Sequence, residues 1–296
     1  MDIKARLKVY IQLLRIRQWV KNFFIFFPLL FSGQLFNTAA LVNSLLTVIG
    51  FCFISSGVYI LNDFLDSKKD RLHPKKSARP LAMMRVSILA VIVFVLFNIT
   101  LGLWICSQAD PVVVAAGGTF VVIHLIYNFL VKRIVILDVI FIAIGFQLRI
   151  WAGSLAIGVL PSVWLQMCVF ILALFLGFTK RRHEITILKT QAGEHREVLS
   201  HYTTYLLDQI IIICSTLAIT FYGLYVISSD IVARTGNHIM VYSVSFVIYG
   251  IFRYLYLVHV KKLGDDPGEI LFLDKSLLIS ILLWIVFVAV ILYNPM

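Results

Sequence analysis

Apolar stretches of about membrane length recur along this chain, and no other feature restricts its fold so severely. Nine can be marked, at about 19–36, 40–62, 85–107, 111–130, 134–153, 161–179, 206–228, 239–259 and 276–293. A helix needs about 20 apolar residues to cross about 30 Å of hydrocarbon. Hydrophobic residues make up 60% of the 296 and charged ones only 14%, too thin a charged coat for a water-soluble globule of this size. The expectation is an all-α, polytopic membrane protein with nine transmembrane helices. No linker, low-complexity segment or repeat interrupts the pattern, so a single membrane domain fills residues 1–296. The four cysteines, Cys52, Cys106, Cys168 and Cys214, stand singly in apolar stretches and read as small buried hydrophobes. The first stretch follows a basic arm but no small-x-small cleavage site, so it reads as a retained span.

The chain carries 26 Lys and Arg against 15 Asp and Glu, a formal charge of +11. In a soluble protein that balance would suggest a nucleic-acid or anionic-surface partner. Here its distribution explains it without nucleic acid. Twenty-three of the basic residues fall on one side of the nine spans: in the amino-terminal arm and after spans two, four, six and eight. Only Arg234 falls on the other side, and Arg149 and Arg253 lie within spans. The positive-inside rule then puts the amino terminus in the cytoplasm and the carboxyl terminus outside a cell membrane. The cytoplasmic connections are also the long, ionisable ones, so chemistry is expected at that face.

Span two closes in Asn62-Asp63-Phe64-Leu65-Asp66-Ser67-Lys68-Lys69-Asp70. Asn62, Asp66 and Asp70 recur every four residues and stack along one face of a helix. Three oxygen-bearing side chains in a column suit a hard divalent cation such as Mg²⁺, which fills its remaining positions with water and substrate phosphates. A solvated helix end balanced by Lys68, Lys69 and Arg71 is the plainer alternative. Carboxylates at a membrane boundary are expensive, which favours the functional reading. The run Arg71-Leu72-His73-Pro74-Lys75-Lys76-Ser77-Ala78-Arg79-Pro80 follows, where Pro74 ends the helix and Lys76 and Arg79 could cradle a magnesium-bound pyrophosphate. The same run could instead anchor to anionic lipid heads.

Further candidates line the same side. Tyr127, Lys132 and Asp138 flank the junction of spans four and five, and Lys180 and Glu184 at the end of span six are spaced to share a face, as a surface ion pair would. Arg253, in the cytoplasmic third of span eight, is placed to reach an anionic substrate. Arg149 counts toward the outer half of its span, where structural pairing is expected. His73 and His183 read as polar surface residues more readily than as proton shuttles. A transporter would carry its polar groups near mid-membrane, whereas these acids gather at one end.

Taken together, these strings resemble the UbiA superfamily of intramembrane prenyltransferases, and within it the phosphoribosyl-transferring branch. The resemblance rests on Arg15-x-Arg17-Gln18-Trp19-Val20-Lys21-Asn22, on Asn62 through Pro80, and on Tyr127 with Lys132 and Asp138. It continues in Gly145-Phe146-x-x-Arg149-x-x-Ala152-Gly153, Lys180-Arg181-x-x-Glu184 and Pro267-x-x-Ile270-Leu271-x-x-Asp274. It implies a nine-helix bundle with a magnesium–diphosphate site at its cytoplasmic end. The metal ligands would be Asn62, Asp66 and Asp70. Asp66, Asp70, Lys180 and Glu184 would be catalytic, and Lys21, Asp63, Lys76, Arg79, Tyr127, Lys132, Lys180, Arg181 and Arg253 would bind substrate. Where the wider superfamily carries a second Asp-x-x-x-Asp motif after the sixth helix, this chain has Lys180 to Glu184, one acid among three bases. That departure favours phosphoribosyl pyrophosphate as donor and a polyprenyl phosphate as acceptor, a pentosyl transfer. The alternative is transfer of a polyprenyl chain from its diphosphate to an aromatic or other acceptor. Homo-oligomerisation is left open.

Overall fold

The computed structural model describes residues 3–71, 76–84, 86–188, 197–236, 238–263 and 267–293. Its helices are α1 (Ile3–Leu13), α2 (Phe27–Phe31), α3 (Thr38–Asp70), α4 (Ile88–Ala109), α5 (Pro111–Ile126) and α6 (Leu137–Ala156). They continue with α7 (Val163–Leu188), α8 (Thr204–Val226), α9 (Ser229–Thr235), α10 (Val244–His259), α11 (Pro267–Leu273) and α12 (Lys275–Tyr293). No strand occurs among the described residues. Eight helical stretches there are long and apolar enough to cross a membrane, which makes this a multi-pass membrane protein. Asparagine and aspartate caps set several of their starts. The Asn37 side chain accepts from the Ala39 and Ala40 amides to open α3, and Asp110 accepts from Val112 to open α5, with Pro111 at the first helical position.

The first apolar stretch departs from expectation. It is no continuous α-helix but a 3₁₀ segment, Ile16–Phe26, followed by the short α2. Arg15, in a left-handed conformation (φ 52°), turns the chain out of α1. The tighter 3₁₀ winding rises about 2.0 Å per residue, so this segment with α2 still spans about 30 Å. Its fit is close. A Cβ on Gly153 of α6 would lie 2.1 Å from the Ile25 carbonyl oxygen, so only glycine admits the 3₁₀ backbone there.

A similar approach joins α3 to α4, where a Cβ on Gly102 would lie 2.5 Å from the Gly50 carbonyl oxygen. Small residues letting backbones meet is the usual route to helix packing in lipid. α3 and α6 are the most enclosed of the long helices, while α4 and α12 are peripheral. Leu89, Ile92, Val93 and Leu96 stand exposed on α4, as a lipid-facing surface should. At 33 residues, α3 is about 50 Å long, well beyond the hydrocarbon thickness, so its acidic last turns project past the apolar layer.

Candidate active site

The end of α3 carries a ladder of carboxylates, and cations from three other segments close on it. The Arg79 Nη1 donates to Asp63 Oδ1 at 2.7 Å and to Asp70 Oδ2 at 2.8 Å, one nitrogen joining two turns of helix. The Arg15 Nη1 lies 3.4 Å from the same Asp63 oxygen. Lys132 donates from Nζ to Asp66 Oδ1 at 2.6 Å, across 66 positions of sequence. A five-residue π-turn, Tyr127–Val131, closes α5, and the Lys132 amide donates to the Tyr127 carbonyl at its end. Such widened turns are common at functional sites, and this one sets Lys132 opposite Asp66. Asp63 and Asp70 are buried, whereas Asp66 is the more accessible of the three. A cleft of about 260 Å³ opens beside them, lined by Gln12, Leu13, Arg15, Asp63, Arg79 and Leu81.

The magnesium expected from the sequence meets a compatible donor set. Asn62, Asp66 and Asp70 share one face of unbroken helix, all are oxygen donors, and positive groups already occupy the space between carboxylates. Among the described residues no three His, Cys, Asp or Glu side chains converge on one point. That argues against an all-protein cage and agrees with the habit of Mg²⁺, which takes one or two carboxylates and leaves room for water and phosphate.

A second polar network lies between α6 and α7. Arg181 is almost wholly buried, and its Nε donates to Asp138 Oδ2 at 2.7 Å while Nη1 donates to Glu184 Oε2 at 2.9 Å. Its Nη2 has no hydrogen-bond partner among the described residues. Glu184 thus bonds Arg181 and is 10% exposed. Tyr202 completes the group. Its hydroxyl donates to Asp138 Oδ1 at 2.8 Å and accepts from the Ile136 amide at 2.6 Å. Ile136 sits at φ 69°, a strained conformation for a β-branched residue, and this amide bond holds the turn that starts α6. Burial, reinforced by the charge of Asp138, pushes the Tyr202 phenol up from its ordinary value, so it remains a donor.

The remaining sequence candidates distribute as follows. Lys180 is half-buried on α7 beside Arg181, and His183 is buried, not a surface residue. Lys21 donates to Gln18 Oε1. Arg253 is bound at both ends of its fork to Asp274, at 3.2 and 2.8 Å, and lies over the Tyr256 ring. Asp274 also caps α12 by accepting from the Leu277 amide at 2.8 Å, and its hydrogen bond from Arg253 holds its carboxyl below the usual range. The Lys76 side chain and His73 lie outside the described residues.

Arg149 corrects the sequence reading. Structural pairing was expected there, yet no carboxylate lies within ion-pair distance of it among the described residues. Its neighbours are the neutral Asn22, Tyr59 and Gly145 carbonyl. Residue counting along α6 alone missed this, because the 3₁₀ segment delivers Asn22 and α3 delivers Tyr59. Tyr59 and Tyr202 are the polar site residues that motif reading passed over, and Arg15 and Asn22 stood in a quoted motif without an assigned role. For Tyr59 the available signal was Arg149, a charged residue inside an apolar stretch.

The fold and this site define an integral membrane helical bundle that concentrates carboxylates and cations at one end. Such an arrangement suits metal-assisted handling of phosphorylated substrates. The chain belongs to the UbiA prenyltransferase family, whose family model matches residues 23–274. It is 28% identical over 281 residues to the decaprenyl-phosphate phosphoribosyltransferase of Corynebacterium glutamicum, spanning 93% of this chain and 84% of that one. The enzyme of the same name from Mycolicibacterium smegmatis is 27% identical over 292 residues, spanning 93% and 89%. The fold matches a UbiA homologue from Archaeoglobus fulgidus, solved bound to DMAPP and Mg²⁺, with a TM-score of 0.71 at 19% identity. That match covers 96% of this chain and 99% of the other.

Proposed function

We propose that this protein transfers a 5-phosphoribosyl group from phosphoribosyl pyrophosphate to a membrane polyprenyl phosphate, releasing pyrophosphate. The observation that carries the reading is the Asp63–Asp66–Asp70 ladder interleaved with Arg79, Lys132 and Arg15 at one end of the bundle. Two features support phosphoribosyl over prenyl transfer. Relatives from Corynebacterium glutamicum and Mycolicibacterium smegmatis that match nearly the whole chain bear the phosphoribosyltransferase name. The end of α7 carries the Arg181 network in place of a second acidic pair that would suit a prenyl diphosphate.

In this reading residues 1–296 form one domain in the cell membrane, and the 3₁₀ segment with α2 makes a ninth crossing. The basic end faces the cytoplasm, with the amino terminus inside and the carboxyl terminus outside. Asn62, Asp66 and Asp70 hold Mg²⁺, which when bound supplies Lewis-acid charge to the departing pyrophosphate. Arg79 and Lys132 exchange a carboxylate oxygen for a phosphate oxygen as the donor enters, keeping each guanidinium or ammonium in a charge-assisted bond throughout. Breaking the anomeric C–O bond builds oxocarbenium character on the ribose. The acceptor phosphate is already anionic, so no side chain has to remove its proton. Lys21, Tyr127 and Lys180 contribute preorganised donors around the phosphates, and Lys76 adds positive charge. Glu184 acts through Arg181, and Arg253 braces α12 through Asp274.

Purified protein in detergent with Mg²⁺, radiolabelled phosphoribosyl pyrophosphate and decaprenyl phosphate should move label into lipid of the matching mass. Chelation should stop the transfer. Asp66→Ala should lower the rate by roughly 10²–10³-fold with the unfolding temperature unchanged. Label entering product only from a polyprenyl diphosphate, onto an aromatic acceptor, would refute the assignment.

A further inference from the structure

Two arginines of this bundle are buried to within a few per cent, and their surroundings differ in kind. Arg181 is neutralised by Asp138 and Glu184. Arg149, 2% exposed, donates from Nε to Asn22 Oδ1 at 2.8 Å, from Nη1 to the Gly145 carbonyl at 2.8 Å, and weakly from Nη2 to the Tyr59 hydroxyl at 3.5 Å. Its guanidinium lies over the rings of Phe120 and Phe146, at 4.7 and 5.4 Å. Among the described residues no acid opposes it. A guanidinium held in apolar surroundings without a counter-charge is strongly unfavourable unless an anion joins it.

The neighbourhood is built for such an anion. Tyr59 lies about one helical turn before Asp63 on α3, so its Cα sits about 6 Å deeper along the helix than that of Asp63. The Arg15 guanidinium covers the Tyr59 ring at 5.3 Å, and Lys21 is also close enough to act electrostatically on the hydroxyl. Asn22 is itself fixed, its amide donating to Cys52 Sγ and Ser55 Oγ, both at 3.3 Å, with its oxygen turned to Arg149. Three cations therefore act on one phenol, and one of them, Arg15, also reaches Asp63, which Arg79 already engages.

We propose that Arg149 and Tyr59, flanked by Arg15 and Lys21, form a second anion subsite that takes a phosphomonoester one turn deeper than the diphosphate. The proposal rests on the phosphoribosyl-transfer reading, in which two groups of that chemistry are present: the 5-phosphate of the donor and the phosphate of the lipid acceptor. Arg149 is then a substrate-binding residue that fixes the distance between the two ends of the reaction. The weak Tyr59 contact leaves an Nη2 hydrogen for a stronger acceptor.

The test is equilibrium binding to the full-length protein in detergent with Mg²⁺, using labelled phosphoribosyl pyrophosphate, farnesyl monophosphate and inorganic pyrophosphate as separate probes. Arg149→Gln should weaken one phosphomonoester probe by roughly ten- to a hundredfold, the worth of a charge-assisted bond. Pyrophosphate affinity should stay within about twofold, because the ladder is untouched. A loss confined to phosphoribosyl pyrophosphate assigns the 5-phosphate, and one confined to farnesyl monophosphate assigns the acceptor, and either supports the subsite. Unchanged binding of both, with only a lower unfolding temperature, overturns it and leaves Arg149 a packing residue. If Arg149→Gln does not fold, Tyr59→Phe keeps the guanidinium and should weaken the same single probe, and no change there equally overturns the subsite. Failure of the parent reading looks different: the unmutated protein would bind neither phosphoribosyl pyrophosphate nor the monophosphate.

Discussion

Replacing Arg181 by Met would leave the carboxylates of Asp138 and Glu184 at the α6–α7 interface without the cation that now lies between them. Asp138 is fully buried and Glu184 only 10% exposed, so neither can recover its charge–charge energy from water. Breaking a buried pair by removing one partner destabilises by about 3–5 kcal/mol. The Tyr202 hydroxyl still donates to Asp138 at 2.8 Å, so the loss should stay near one pair's worth and not double. At about 2–4 °C per kcal/mol for a chain of this order of size, the unfolding temperature should fall by about 6–20 °C. The assay is thermal unfolding in detergent, followed by tryptophan fluorescence. The double variant Arg181→Met/Asp138→Asn should recover part of the loss, since it removes one of the two stranded charges while its amide oxygen can still accept from Tyr202. A shift under 2 °C, with the double variant no better than the single, would show that Arg181 is not a structural counter-ion. A large fall in kcat/KM alongside that small shift would assign it instead to the substrate.

Three smaller perturbations test other joints. Gly153→Ala puts a methyl 2.1 Å from the Ile25 carbonyl oxygen, so the 3₁₀ segment must move by about an ångström. A loss of about 1–3 kcal/mol in stability is expected, read as a lower unfolding temperature together with a raised KM, because Lys21 and Asn22 ride on that segment. Tyr202→Phe removes the donor to Asp138 and the acceptor for the Ile136 amide. It should destabilise by about 1.5–3 kcal/mol, the range for a hydrogen bond to a charged group, and an unchanged melting curve would contradict the clamp. Asp274 has its carboxyl held below the ordinary value by Arg253, so its contribution is present above about pH 4 and lost as the pH falls through its folded value. The difference in unfolding temperature between the natural protein and Asp274→Asn should be visible at neutral pH and close in acid. A gap that stays constant down to pH 3 would dismiss the ion pair as its source.

Much of the architecture was legible before any contact was known. Eight of the nine apolar stretches are helices, because burying a backbone in lipid requires internal hydrogen bonding and composition alone signals where that happens. The column of Asn62, Asp66 and Asp70 followed from helical periodicity, a purely local property, and α3 does run unbroken through it. The first stretch was not legible. Its 3₁₀ winding follows from how Asn22 seats against Cys52 and Ser55 and how Ile25 meets Gly153, contacts made with other helices.

Pairing separated the two sources of information most sharply. Hydropathy and period act over a turn or a span, and they suffice to mark a multi-span helical membrane protein whose acids and bases gather at the ends of particular helices. Which cation meets which acid is set by helix packing: Lys132 with Asp66, Arg79 with Asp63 and Asp70, Arg181 with Asp138, and, among the described residues, none for Arg149. Those partners lie up to 66 positions apart, and which of them touch depends on the register and rotation of whole helices. That register is fixed by glycine contacts and a π-turn, each a matter of about an ångström, which no local pattern of residues encodes.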